Sequence, residues 1–206
     1  MTRLAGGSGA ARPASGLLAI AAVLATLLVM GPAWAQDGDE FSIVFPQPDP
    51  RTHFIDDFGA PRRGHRHQGI DLIGEKLMPV VAVADGTVER LAWHRSAGYY
   101  IVLRHADGWT STYMHLNNDR PGADRGRAGS ESAYLPGIEE GAAVRAGQQI
   151  AWVGDSGNAE WSVPHTHFEL AHHGRVVNAY PYLVAAWERL LEEWAAARRG
   201  SLTAVR

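Results

Sequence analysis

From Gly69 to Val177 the chain is written in short β-rich runs cut by glycine, with no long helical period between them. The runs are Gly69–Ile73, Val80–Val83, Gly86–Trp93, Tyr99–Arg104, Thr110–His115, Gln149–Val153, His167–Ala171 and Val176–Val177. Asp85-Gly86, Asp107-Gly108 and His173-Gly174 stand where hairpin turns belong, because tight hairpins need residues that accept positive φ. Strands at this spacing without intervening helices predict an antiparallel sheet or sandwich, a mainly β domain. Only the tail from Tyr182 departs from the rhythm. Leu183, Ala186, Leu190, Leu191 and Trp194 fall on one face at helical spacing, with Glu188, Glu192, Glu193 and Arg198 mostly opposite. That pattern predicts one amphipathic helix packed on the sheet and ending before Gly200.

With 206 residues, 46% of them hydrophobic and 20% charged, the chain suffices for one ordinary domain and is too apolar for global disorder. Arg3 and Arg12 precede an apolar run from Leu17 to Met30, which leads through Gly31 and Pro32 to Ala33-Trp34-Ala35. A positive start, an apolar centre and an A-x-A site read as a secretory signal over residues 1–35, cleaved after Ala35. The rival is an uncleaved anchor, since residues 13–36 form a charge-free stretch of 24 residues. Either way the body works outside the cytoplasmic membrane, secreted or in the periplasmic and cell-wall space. Residues 36–206 carry 17 basic and 22 acidic groups, a balance that argues against a nucleic-acid binder. The absence of cysteine excludes disulfides, thiolate zinc ligands and thiol nucleophiles. An exported chain without cross-links then depends on packing or on a metal for its stability.

Within the body, residues 36–57 form an N-terminal edge segment. Its stretch Phe41–Phe45 reads as a short edge strand stopped by Pro46, Pro48 and Pro50. Residues 58–180 form the main domain, interrupted by a long loop at 117–138 rich in glycine and proline, and residues 181–206 form the helix and tail. Loops of that length in compact domains are usually functional or disordered.

Ten histidines without a cysteine point to imidazole chemistry. His67-Gln68-Gly69-Ile70-Asp71 places two ligand-type side chains four apart; on a straight strand they would stand about 13 Å apart. A bend near Gly69 would shorten the span, and glycine permits one. In Pro164-His165-Thr166-His167-Phe168-Glu169-Leu170, alternation sets His165, His167 and Glu169 on one strand face and Phe168 and Leu170 on the other. His115, in Tyr113-Met114-His115-Leu116, ends a strand just before the long loop. Two nitrogens and one carboxylate would leave zinc an open position for water, which is the catalytic rather than the structural arrangement. The residues themselves do not decide which of His165 and His167 touches the metal. His65 reads as a loop decoy, His172 and His173 as turn residues, and His53, His94 and His105 as unpartnered.

The set His67-x-x-x-Asp71, Tyr113-x-His115-Leu116 and His165-x-His167-Phe168-Glu169 resembles the lysostaphin-type (LytM-like) zinc endopeptidases, which cut peptidoglycan peptides. The likeness also takes in Pro79–Gly86, Ala146–Ile150 and Val153–Ala159, and spans roughly residues 58–171. It implies a barrel-sandwich hybrid of the duplicated-hybrid-motif type. It implies one zinc ion held by His67, Asp71 and His167, with His115 and His165 as the unligated catalytic pair, the base between them left open. Thr166 stands where the family often has an aliphatic residue and is expected to face away from the site. The long loop, with Tyr99, Trp109 and Tyr134, is expected to wall a groove for an extended peptide. A second reading is a non-catalytic regulator of cell-wall amidases on the same fold, against which the complete histidine and aspartate set argues. A biotinyl- or lipoyl-type carrier would need a lysine at a hairpin tip, and the only lysine, Lys76, lies outside such a turn.

Overall fold

The computed structural model describes residues 41–62 and 64–203, with side chains as far as Gly200; the predicted signal segment lies outside the described residues. The described residues are mainly β, with antiparallel sheets and one α-helix among them. In chain order the strands are β1 (Pro61–Arg62), β2 (His65–Arg66), β3 (Ile70–Ile73), β4 (Pro79–Val81), β5 (Gly86–His94) and β6 (Gly98–Arg104). They continue as β7 (Trp109–Leu116), β8 (Ala143–Val144), β9 (Gln149–Trp152), β10 (His165–His172) and β11 (Arg175–Val177), and helix α1 spans Tyr180–Thr203.

The principal sheet runs β11-β10-β7-β6-β5-β8, and β3 joins it on β10. One edge of β10 is taken by β7; the other is shared by β3 along His165–Phe168 and by β11 along Leu170–His172. β4 and β9 form a second, two-stranded sheet, and β1 and β2 a third. Period-two patterning explains which face is buried. Ile70 and Leu72 of β3, Ile101 and Leu103 of β6, Tyr113 of β7, and Phe168 and Leu170 of β10 are fully buried in one core. Each such side chain contributes roughly 1.5–3 kcal/mol over leaving it in water. Phe168 packs against Tyr113 across the β7–β10 pair, their ring centres 5.3 Å apart.

All eight β-rich runs become strands, as the glycine-cut rhythm predicts. His173-Gly174 is the two-residue turn between β10 and β11, both residues at positive φ. Asp107-Gly108, also at positive φ, joins β6 to β7. Asp85-Gly86 is not a hairpin: Gly86 opens β5, and the Asp85 carboxylate accepts the Ala146 N–H at 2.8 Å.

Phe41–Phe45 is irregular rather than an edge strand. The prolines that follow remove backbone donors, so the segment is held by isolated bonds such as Val44 N–H to the Val83 carbonyl (2.8 Å). Ile43 and Phe45 are nevertheless buried in the core.

The helix starts at Tyr180 and runs past Gly200 to Thr203. One glycine costs a helix only about 1 kcal/mol relative to alanine, and no proline follows to stop it. Leu183 and Ala186 are buried, whereas Leu191, expected on the same face, is exposed. Trp187 takes that place by packing on Phe45, with ring centres 4.7 Å apart. Among the described residues no helix is long and apolar enough to cross a membrane.

Candidate metal centre

β3 and β10 are direct neighbours, and their register sets Asp71 opposite His167. Side chains opposed in this way on one face are in mutual reach. His67 precedes β3, and the chain bends at Gly69, so the straight-strand separation of a histidine and an aspartate four apart does not arise. Gly69 is at ordinary φ; its role is close approach. A Cβ there would stand 2.7 Å from His167 Nε2 and collide with the Phe168 carbonyl oxygen.

Three donor-type atoms converge as a result. His67 Nε2 lies 2.9 Å from His167 Nδ1 and 3.1 Å from Asp71 Oδ1, and His167 Nδ1 lies 3.0 Å from that same oxygen. The outer ring nitrogens face only acceptors. His67 Nδ1 donates to Asp57, whose carbonyl oxygen is 3.1 Å and carboxylate Oδ2 3.0 Å away. His167 Nε2 donates to Glu169 Oε1 at 3.0 Å. A neutral imidazole has one N–H, so both inner nitrogens then present lone pairs. Two lone pairs and a carboxylate oxygen about 3 Å apart require a cation between them, either protons or a metal. The donor set suits zinc, and carboxylate-backed imidazoles are the usual support for it.

The electrostatics agree. Burial acts to keep His167 neutral, but the Asp71 and Glu169 carboxylates outweigh it and raise its pKa to about 9 in the metal-free chain. Burial also works to raise the Asp71 pKa; in the metal-free chain the protons shared with His167 and His67 overcome it and hold the carboxyl far below its ordinary range. The second Asp71 oxygen accepts from Arg62 at 2.8 Å, and the same guanidinium nitrogen reaches Asp57 Oδ2 at 3.0 Å.

His115 and His165 stand beside this cluster, their ring centres 4.8 Å apart. His115 is buried, donates Nδ1–H to the Ser156 carbonyl at 2.9 Å, and so keeps Nε2 as an acceptor. Burial, and then the neighbouring His165, push its pKa down to about 4. His165 donates Nδ1–H to the Val163 carbonyl at 2.8 Å, with Nε2 3.9 Å from Asp71 Oδ1. His115 reaches the site by breaking alternation. Two residues after the core residue Tyr113 it should point inward, but its φ of 58° turns the ring out beside Thr112 and Met114. Non-glycine residues seldom adopt that conformation, and they do so where the surroundings enforce it.

These side chains line a groove of about 860 Å³, with Arg62, His94, Tyr100 and Glu169 on its walls. The loop at 117–138 does not line it, and Tyr99 and Tyr134 belong to a separate cavity of about 540 Å³. Trp109 is stacked between Phe41 and His172, with ring centres 4.6 and 4.4 Å away. The aromatic wall expected from sequence is therefore not the groove wall. His65 and His94 line the groove outside the converging triad, and His105 is buried structurally between Asp85 O (2.9 Å) and Ser111 Oγ (2.8 Å). Thr166 faces away, donating to Gln47 Oε1 at 3.0 Å. Asp57 and Arg62 also belong to the site, holding His67 and Asp71. No spacing signal marks Asp57, which meets His67 only through the fold; Glu169 was legible as a face-mate of His167.

The family model described as Peptidase family M23 matches residues 65–179, more than half of the chain, a span that contains His67, Asp71, His115, His165 and His167. The chain belongs to peptidase family M23. Among its M23-type relatives are an uncharacterized metalloprotease of Haemophilus influenzae, 34% identical over 113 residues (54% of this chain, 20% of that protein), and the murein hydrolase activator NlpD of Salmonella dublin, 34% identical over 131 residues (63% and 29%). The peptidoglycan DD-endopeptidase ShyA of Vibrio cholerae is 32% identical over 126 residues (58% and 25%). The matches thus span less than a third of each relative's length. Solved structures also share the fold. Lysostaphin from Staphylococcus simulans has a TM-score of 0.51 at 25% identity, covering 66% of this chain and 50% of that one. A zinc-containing peptidase from Vibrio cholerae has a TM-score of 0.50 at 26% identity, covering 67% and 39%. Two of these relatives are named for murein or peptidoglycan, and one of the structural neighbours contains zinc.

Proposed function

We propose that this M23 protein is an exported zinc endopeptidase that hydrolyses peptide bonds in peptidoglycan cross-links or stems. The observation that carries the reading is the convergence of His67, Asp71 and His167, each imidazole backed by a carboxylate, with two further imidazoles in the same groove. His67, Asp71 and His167 would hold the ion; bound there, zinc supplies Lewis-acid polarisation of the scissile carbonyl and lowers the pKa of water from 15.7 towards about 7.

The chain's own groups do the rest. Asp57 and Glu169 hold the two ligand rings in one tautomer each. His115, kept neutral by burial and fixed by Ser156, and His165, fixed by Val163, offer Nε2 to a proton leaving the attacking water. The imidazolium so formed can hand that proton to the departing amine or stabilise the oxyanion. The groove, at about 860 Å³, is within the usual size of a ligand-binding cleft. Export places the domain where peptidoglycan lies, and the peptide chains of that polymer are the partner.

Likeness to NlpD supports a second reading, a non-catalytic activator of cell-wall amidases. The full set of ligand-type and proton-carrying residues favours the enzyme. One experiment separates them: digestion of purified cell wall by residues 36–206, with and without chelator, followed by mass spectrometry of the fragments and metal analysis of the protein. Chelator-sensitive release of peptide fragments with one zinc per chain is expected. A protein that releases nothing and carries no stoichiometric zinc overturns the enzyme reading.

A further inference from the structure

Lys76, the chain's only lysine, sits in the turn between β3 and β4 and is mostly buried. Its ammonium is 2.6 Å from Asp119 Oδ2, 2.6 Å from Asp124 Oδ1 and 2.7 Å from Asp155 Oδ1. Asp119 and Asp155 are almost completely buried, so the lysine compensates charges that water cannot reach. Burial alone would lower its pKa; the three aspartates outweigh that and raise it.

The two buried aspartates bracket His115. On one side, Asp119 lies four residues after His115 and closes the start of the long loop, accepting the Arg125 and Gly126 N–H groups at 2.7 and 2.8 Å. On the other side, Asp155 precedes Ser156, whose carbonyl accepts His115 Nδ1–H at 2.9 Å. Ser156 is itself seated by its hydroxyl, which donates to the Leu116 carbonyl (2.6 Å) and accepts the Tyr99 N–H (2.9 Å). Gly98 lies so close that a Cβ there would collide with Ser156. His115 is in a left-handed conformation that persists only when its surroundings over-determine it. The lysine ties together the segments on either side of it.

Resting on the peptidase reading, we propose that Lys76 is the positioning residue for the His115 imidazole, acting through Asp155–Ser156 and through Asp119. It touches neither the groove nor the converging triad. Its charge is what matters, since a neutral side chain leaves buried carboxylates facing one another and frees the 155–156 segment.

The test is Lys76→Met in the full zinc-loaded chain, read by long-range proton–nitrogen NMR of histidine-labelled protein, with His115→Asn to assign the signal. The unaltered chain should show His115 as the Nδ1–H tautomer with a slowly exchanging proton. Lys76→Met should lose that signature while binding one equivalent of zinc. On cell wall its kcat should fall by about a hundredfold with KM within about twofold, the pattern of a displaced reacting group rather than lost binding. Glu89→Gln, which breaks an exposed pair with Arg104, is the control and should change nothing. A folded Lys76→Met with an unchanged His115 signal overturns the proposal, whatever its activity. If that variant does not fold, Asp155→Asn decides on the same signal: loss supports the proposal and retention overturns it. An unaltered chain inactive on cell wall would sink the peptidase reading alone, because the NMR comparison does not need turnover.

Discussion

Glu169 lies two residues beyond His167 on β10, and its carboxylate accepts that ring's Nε2–H at 3.0 Å. Strand alternation puts both side chains on the groove face, so one strand supplies a candidate ligand together with the group that fixes its tautomer. Removing such an outer partner typically weakens metal binding by about 10–100-fold. Glu169→Ala should therefore lose zinc affinity on that scale in competition with a chromophoric chelator. Glu169→Gln, whose carbonyl still accepts the N–H, should lose less. Equal affinity in all three proteins would show that Glu169 does not orient the ring.

Gly69→Ala should damage the site without touching a polar group. The new methyl would meet the Phe168 carbonyl oxygen and His167 Nε2. Because a strand carbonyl cannot swing aside as a side-chain tip can, either β10 or the ring must move. Overpacking of this kind costs about 1–3 kcal/mol. Urea unfolding of the variant should show that loss, and zinc should bind more weakly.

His115→Asn separates proton transfer from metal binding, and asparagine tolerates the left-handed backbone. We expect one zinc per chain, as before, with cell-wall hydrolysis reduced by about 10²–10⁴-fold. His167→Ala should lose zinc and hydrolysis together. Full turnover in either variant would contradict the assigned roles.

Acid should destabilise the metal-free chain partly through His115. Its folded pKa, about 4, lies below the unfolded value of about 6.5. A histidine depressed in this way contributes stability that is fully present above the unfolded pKa and is lost as pH falls from about 6.5 to about 4. The full contribution is at most about 3 kcal/mol. His105, also lowered by burial, acts in the same direction but is untouched by the substitution. Urea midpoints in the presence of chelator should therefore drop less between pH 7 and pH 4.5 for His115→Asn than for the unaltered chain. Parallel drops would remove His115 from the acid limb.

Strand positions were legible because glycine punctuation and period-two patterning are local properties; the face shared by His165, His167 and Glu169 followed from alternation alone. His115 was legible as a residue but not as a direction, since one left-handed backbone conformation undoes the alternation and nothing local announces it. Trp109 misled for a related reason. An aromatic on a strand is equally suited to groove or core, and here Phe41, arriving from far along the chain, covers it. Asp57 and Lys76 carried no pattern at all.

By itself, then, the amino-acid order determined the elements, the faces they bury and the inventory of imidazoles and carboxylates, because propensity and periodicity act between near neighbours. Tertiary structure decided the β3–β10 register that opposes Asp71 and His167, the tautomers set by Asp57 and Glu169, and the lysine-bound segments on either side of His115. Those depend on pairings between residues up to a hundred positions apart. They arise from packing the sheet and compensating its buried charges, which no local stretch encodes.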